Sequence, residues 1–275
     1  MSSPTDAETS RPSRRAATVA DVRAGGQPPG LKERRNEEHW AGRLYMRSLS
    51  PYFSWFFLRL GFTPNQLTYL MIVCGMLAGL VVALPVGGVW TALGGAVLIQ
   101  AYLLLDCSDG EVARYTGQTS VAGVFLDRIG HYLSEVALLI GLGVRAQAAW
   151  ESGGYVELGL LAALGAALIK AETDNVVVAR AKSGLPADPT GGDRALRPRS
   201  TGLALARQAV AMLRFHRIIG AVELSLLILA AAVLDALVGG HTPVATRVLA
   251  VAVAAVAVVQ TALHLVSILA SRRLK

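Results

Sequence analysis

Between residues 106 and 131 the chain reads DCSDGEVARYTGQTSVAGVFLDRIGH, directly after the apolar run AYLLL. Asp106 and Asp109 are three residues apart and Asp127 and His131 four apart, so on helices each pair projects from one face. Two such faces on consecutive antiparallel helices can converge on one point. Ionised carboxylates at membrane depth are costly and persist where they pair with cations or face a wet cavity. Three converging aspartates without three matching basic side chains point to metal ions, and hard oxygen ligands suit Mg2+, Mn2+ or Ca2+. Gly110, Ala113, Gly117 and Gly123 add small surfaces where a ligand or another backbone can approach. The competing interpretation is a water-lined vestibule or a buried ion-pair network in a transporter.

The surroundings must hold these residues in a bilayer. Of 275 residues, 53% are hydrophobic and 16% charged, and the mean hydropathy is +0.47, too apolar for an ordinary soluble domain. We expect an all-α polytopic membrane protein with six transmembrane helices preceded by an amphipathic interfacial helix. The apolar segments fall at about 66–84, 89–112, 120–143, 154–180, 218–239 and 243–270, each near the length needed to span. Residues 1–30, rich in Ser, Thr, Pro, Gly and Arg and lacking an apolar h-region, are expected to be a disordered tail and not a signal peptide. In residues 31–62 Lys32, Arg34, Arg35, Arg43, Arg47 and Arg59 mix with Trp40, Tyr45, Tyr52, Trp55, Phe56 and Phe57. That composition suits a helix in the membrane interface, against the alternative of a soluble juxtamembrane helix. Residues 63–271 are then expected to form a six-helix transmembrane domain that holds the candidate site.

Charge sets the expected orientation and partners. The loops at 85–88 and 240–243 are poor in Lys and Arg. The N-terminal segment, the 182–217 connection (Lys182, Arg194, Arg197, Arg199, Arg207, Arg214, Arg217) and the tail (Arg272, Arg273, Lys275) are rich in them. Both termini are therefore expected on the cytoplasmic side of the cell membrane, and six crossings put the turn between spans two and three, with its acidic stretch, there too. The net charge of +7 favours lipid headgroups or a phosphorylated substrate as partners. No basic segment is interleaved with stacking aromatics, which argues against nucleic acid. Cys74 and Cys107 form no CxxC and are expected to be inert buried thiols.

The run Asp106-x2-Asp109-Gly110-x2-Ala113-Arg114-x8-Gly123-x3-Asp127-x3-His131 closely resembles the signature of the CDP-alcohol phosphotransferases, D-x2-D-G-x2-A-R-x8-G-x3-D-x3-D, at every fixed position but the last. TPNQLT at 63–68 resembles that family's TPN-x-x-T approach to the first span, and ARAKSGL at 179–185 its basic exit from the fourth. The resemblance covers about residues 40–270. It implies that a CDP-linked alcohol, often CDP-diacylglycerol, gives its phosphoalcohol part to an acceptor hydroxyl while CMP leaves. It also implies that Asp106, Asp109 and Asp127 ligate metal, Mg2+ or Mn2+ and two ions, since two cations can hold both phosphates of the donor. Gly110, Ala113, Arg114 and Ser120 match nucleotide-contacting positions, with Asn65 and Thr68 beside them. The expected partners are the CDP-alcohol donor, a polar or phosphorylated alcohol acceptor, membrane lipids and a second copy of the chain in a homodimer.

His131 departs from the signature, whose last carboxylate in the family helps ligate metal and serves as general base. Histidine can accept a proton, and an ordinary imidazole pKa of about 6.5 suits base catalysis near neutrality. It is a poorer Mg2+ ligand than a carboxylate. Glu135 stands four residues on, placed to hydrogen-bond the imidazole and fix its tautomer, or alternatively to pair with Arg128 or another basic side chain. His131 can also mark a family member kept as a binding or scaffold subunit, and a cation-coupled transporter is the third hypothesis. Glu223, Gln260 and His264 are intramembrane functional candidates by default, with interhelical hydrogen bonding the plainer role for the last two. Lys170, Glu172 and Asp174 are candidates to line an acceptor pocket or to snorkel. Arg180, Arg197 and Arg199 are candidates for an acceptor phosphate.

Overall fold

The computed structural model describes residues 17–28, 40–84, 88–148, 153–186, 220–239, 242–271 and 274. The expected interfacial residues 31–39, the arginines at 194–217 and those at 272 and 273 lie outside the described residues. All regular structure within them is helical: α1 (Val19–Gly26), a π-helical turn (Gly42–Met46), α2 (Arg47–Arg59), α3 (Pro64–Ala83), α4 (Val89–Thr116), α5 (Val121–Gln147), α6 (Tyr155–Lys182), α7 (Ala221–Val238) and α8 (Val244–Ala270). Among the described residues α3, α4, α5, α7 and α8 are long and apolar enough to cross a membrane, and the protein is a polytopic membrane protein. The remaining expected span, α6, has 28 residues but carries Lys170, Glu172, Asp174, Arg180 and Lys182 in its second half. Large apolar side chains point outward along these helices, among them Leu80, Val97, Leu164 and Val259, the surface that lipid covers.

The chain divides into two compact units, Met1–Cys74 with Gln100–Gly130, and Gly75–Ile99 with His131–Lys275. In the first unit, α1 overturns the expectation of a disordered 1–30 for its described part. The reason is local and tertiary together. Thr18 and Asp21 form a reciprocal capping box, the hydroxyl and backbone N–H of Thr18 holding the Asp21 carboxyl below its ordinary value of 3.8; Val22 is fully buried, and the Trp55 indole Nε1 donates to the Ala17 carbonyl at 3.0 Å. The helix α2 is amphipathic in an unusual sense. Its buried positions are Ser50, Pro51, Ser54 and Leu58, whereas Tyr52, Phe53 and Phe56 are exposed, so these three aromatics face away from the unit and the serines into it.

In the second unit close backbone approach holds the helices together. A Cβ on Gly79 would run into the backbone of Ala137, and one on Gly159 would stand 2.9 Å from the Gly143 Cα, the small-residue contact that lets membrane helices pack. Arg145 Nη1 donates to Thr91 Oγ1 at 2.9 Å and Nη2 to the Gly88 carbonyl at 2.6 Å. Asp235, near the end of α7, accepts from the backbone N–H of Ala245 at 2.6 Å and of Thr246 at 3.1 Å, placing a carboxylate where the first N–H groups of α8 have no intrahelical partner.

Candidate functional site

The TPNQLT segment sets the start of α3. Thr63 and Gln66 cap one another, Thr63 N–H donating to Gln66 Oε1 at 2.9 Å and Gln66 N–H to Thr63 Oγ1 at 3.4 Å, and Pro64 takes the first helical position, where its missing N–H costs nothing. Thr68 then falls one turn in. Its hydroxyl is buried and donates to Asp109 Oδ2 at 2.6 Å. Asp109 itself is 8% exposed, so this hydrogen bond orients a carboxylate that has left water.

At its other end α4 stops at Gly117, whose φ of +66° is the left-handed conformation that glycine adopts freely. Gln118 N–H closes the turn on the Ala113 carbonyl at 2.9 Å. Ser120 caps α5, its Oγ accepting from Gly123 N–H at 3.0 Å. A Cβ built on Gly123 would stand 3.2 Å from Asn65 Oδ1 and 3.2 Å from Ser120 Oγ. Asn65, Ser120 and Gly123 are therefore brought together, and the glycine leaves the two polar side chains their space.

Asp106 on α4 and Asp127 on α5, both half-buried, each offer a carboxylate oxygen within 4.8 Å of the other. His131 stands one turn beyond Asp127 on the same helix, with a ring nitrogen within 4.8 Å of that carboxylate. Two carboxylates this close in apolar surroundings repel, and a divalent cation with hard oxygen ligands relieves the repulsion; the donor set fits such an ion. Asp109, three residues from Asp106, comes from the same stretch of α4 but is held by Thr68.

Arg114 lies along α4. A Cβ on Gly110 would be 3.0 Å from its Nη1 and 3.3 Å from its Nη2, so glycine at 110 is what lets the guanidinium rest against the helix. Its Nε donates to the Gly26 carbonyl at 2.6 Å. Glu135, placed by sequence beside His131, forms an ion pair with Lys170 on α6, Oε1 to Nζ at 3.2 Å; a basic partner other than Arg128 thus holds it. Tyr132 donates to Asp174 at 3.0 Å. His264 Nδ1 and Glu172 Oε2 are 2.6 Å apart, the interhelical bond expected of that histidine. The Gln260 Oε1 is buried with no hydrogen-bond partner among the described residues. Arg180 is buried and donates from Nε to the Pro186 carbonyl at 2.8 Å.

One residue that sequence reasoning passed over dominates the first unit. Glu111 is fully buried and accepts from Gln27 Nε2 at 2.8 Å, from Ser54 Oγ at 2.7 Å and from Ser50 Oγ through a short hydrogen bond. Arg47 Nη1 lies 3.7 Å from it. Arg47, Ser50 and Ser54 share one face of α2 by their spacing. An acidic residue inside an apolar helix, and a serine pair four apart on a helix with aromatics elsewhere, were the available signals.

Fold and site define a polytopic membrane protein with a carboxylate cluster able to hold a divalent ion. The family model for CDP-alcohol phosphatidyltransferase matches residues 62–272, and the chain belongs to that family. It is similar to the bifunctional IPC transferase and DIPP synthase of Aquifex aeolicus, 38% identical over 90 residues that cover 33% of this chain and 20% of that protein. The phosphatidylinositol phosphate synthase of Streptomyces avermitilis is 31% identical over 115 residues, 42% of this chain and 43% of that one. The archaetidylinositol phosphate synthase of Pyrococcus horikoshii is 34% identical over 92 residues, 34% of this chain and 46% of that one. The matched stretch thus spans less than half the length of each of these curated relatives.

Proposed function

We propose that the chain is an enzyme of phospholipid or related polyol-phosphate biosynthesis, transferring the phosphoalcohol group of a CDP-alcohol to an acceptor hydroxyl with release of CMP. The observation that carries this reading is the meeting of Asp106 and Asp127 within 4.8 Å inside a stretch that the family model matches. Asp106, Asp109 and Asp127 would hold the metal, Mg2+ or Mn2+ and two ions in this reading, with the His131 ring beside Asp127 kept for proton transfer, and when bound it supplies the positive charge that a diphosphate leaving group requires. Thr68 fixes the Asp109 carboxylate by its hydroxyl, one turn along α4 from Asp106. Arg114, laid flat on Gly110, offers its terminal nitrogens to phosphate oxygens, and Asn65 with Ser120 offers neutral polar contacts to the nucleotide.

In the transfer the acceptor oxygen forms a bond to the phosphorus that carries the alcohol. The phosphoanhydride bond to CMP breaks, and the hydroxyl proton passes to a ring nitrogen of His131 as general base. Glu135 acts as a positioning residue in this reading, its charge one turn from the imidazole and shared with Lys170. CDP-diacylglycerol is the donor we favour. Two relatives are named for making inositol-phosphate lipids, which supports an inositol phosphate as acceptor. The cell membrane with both termini and the site cytoplasmic, as the basic segments favour, and a homodimer sharing part of the apolar helix surface complete the proposal.

The histidine at 131, where the family signature carries aspartate, favours one second reading: a binding or scaffold subunit that has lost the chemistry. CMP release by the purified chain and its variants separates the two. Under the enzymatic reading His131→Ala loses about a hundredfold or more in kcat, whereas His131→Asp keeps activity. Wild-type protein that releases no CMP with any donor and acceptor, together with an active His131→Asp, would establish the second reading instead.

A further inference from the structure

The helix α1 lies outside the stretch that the family model matches, residues 62–272, yet it is built into the first unit beside the signature. Pro51 sits inside α2 and has no N–H for the carbonyl four residues back, that of Arg47. Gln27 supplies the missing donor: its Nε2 lies 2.7 Å from the Arg47 carbonyl and 2.8 Å from Glu111 Oε1. One side-chain amide thereby ties the end of α1 to α2 and to α4 together. The preceding glycine is required by closeness, since a Cβ on Gly26 would be 3.0 Å from the Glu111 Cβ and 3.1 Å from the Glu111 carbonyl oxygen. A helix backbone cannot yield there, so a side chain at position 26 would lift α1 off α4.

In that docked position the Gly26 carbonyl receives Arg114 Nε at 2.6 Å, while Gly110 lets the rest of the guanidinium lie on α4. With Nε committed, the two terminal nitrogens are the pair that can meet phosphate oxygens bidentately. We infer that α1 is a positioning element for the nucleoside diphosphate of the donor: it fixes the rotamer of Arg114 through the Gly26 carbonyl, and Glu111 with Gln27 is the anchor that holds it there. This rests on the proposed phosphotransfer and adds to it a residue set that acts through Arg114.

The test uses the full chain in detergent with CDP-diacylglycerol, saturating Mg2+ and inositol phosphate. Donor KM and kcat are read from CMP release, and docking of α1 from hydrogen exchange of residues 19–27. Gly26→Leu should strip protection from α1 and raise the donor KM about tenfold, the worth of one hydrogen bond to a charged group. The kcat and acceptor KM should stay within about twofold, because the loss is one of donor binding. Arg114→Lys, which lacks the Nε donor, should raise the donor KM similarly, and the double variant should be no worse than the larger single effect, the mark of one shared interaction. Gln27→Ala gives the same pattern more weakly and serves if Gly26→Leu fails to fold. Multiplied effects in the double variant, unchanged donor KM once α1 has lost its protection, or retained protection in both α1 variants would overturn the inference while leaving the phosphotransfer standing. A wild type that releases no CMP from any donor removes both, and hydrogen exchange then still reports whether α1 is docked.

Discussion

Two carboxylate environments of the first unit stand a few residues apart on α4 and are built in opposite ways. Glu111 is closed: three side-chain donors and the Arg47 guanidinium surround a group with no exposure. Asp106 is half-buried and brought within 4.8 Å of a second carboxylate, Asp127. A buried charge enclosed by donors is already satisfied and serves the architecture. Carboxylates turned on one another raise each other's cost of ionisation until a cation joins them, and so serve a ligand. Asp109 stands between the two: it is buried and held by the Thr68 hydroxyl, three residues from Asp106 on the same helix. In the proposed function, acidic residues of one helix are thus sorted into structural and chemical roles by what faces them.

Substitutions at the two places should fail differently. Asp127→Asn is expected to lower CMP release by about a hundredfold or more, since a neutral amide cannot replace a charged ligand, while the unfolding temperature in detergent holds or rises as a repulsive charge is removed. Glu111→Ala should do the reverse. Breaking a buried pair by removing one partner costs about 3–5 kcal/mol, seen as a large fall in the unfolding temperature, with the metal concentration for half-activity unchanged in the protein that remains folded. If Glu111→Ala shifts the metal requirement and Asp127→Asn does not, the two roles have been exchanged. Thr68→Val, which keeps the shape and removes the hydroxyl, should reduce kcat about tenfold by taking from Asp109 its side-chain donor, and equal turnover would show that Asp109 needs no aiming. The smallest effect belongs to Asp21. Its carboxyl is held below the ordinary value of 3.8 by Thr18, so its contribution to the cap of α1 is complete above that value and is lost as pH falls through the lower folded one. Asp21→Asn should therefore slightly weaken hydrogen-exchange protection of α1 at neutral pH and make no difference once the wild type is protonated.

Legibility in the sequence followed the range of the interactions. The helices α3, α4, α5, α7 and α8 were readable because apolar runs near the spanning length depend on nothing distant. The signature from Asp106 to His131 was readable because its spacing carries its geometry, and TPNQLT held a local capping box. Glu111 was not. It occupies a variable position of the signature, and its partners lie 84, 61 and 57 residues away, so no local pattern announces them. The helix α1 is hidden in the sequence because residues 1–30 as a whole are rich in Ser, Thr, Pro, Gly and Arg, although Thr18 and Asp21 have capping-box spacing; what makes that short helix hold is its docking on Glu111 and Trp55. Glu135 was readable as a charged partner near His131, but the choice of Lys170 required the packing of α6.

The central claim is that the Asp106, Asp109 and Asp127 carboxylates bind a divalent ion for transfer from a CDP-alcohol. Its most direct test is CMP release by the purified full chain supplied with CDP-diacylglycerol, assayed with and without Mg2+ and with and without inositol phosphate, beside Asp106→Asn. The account predicts CMP only when ion and acceptor are both present, and none from Asp106→Asn at any Mg2+ concentration. CMP release that survives removal of the divalent ion, or that proceeds at the wild-type rate in Asp106→Asn, would contradict it.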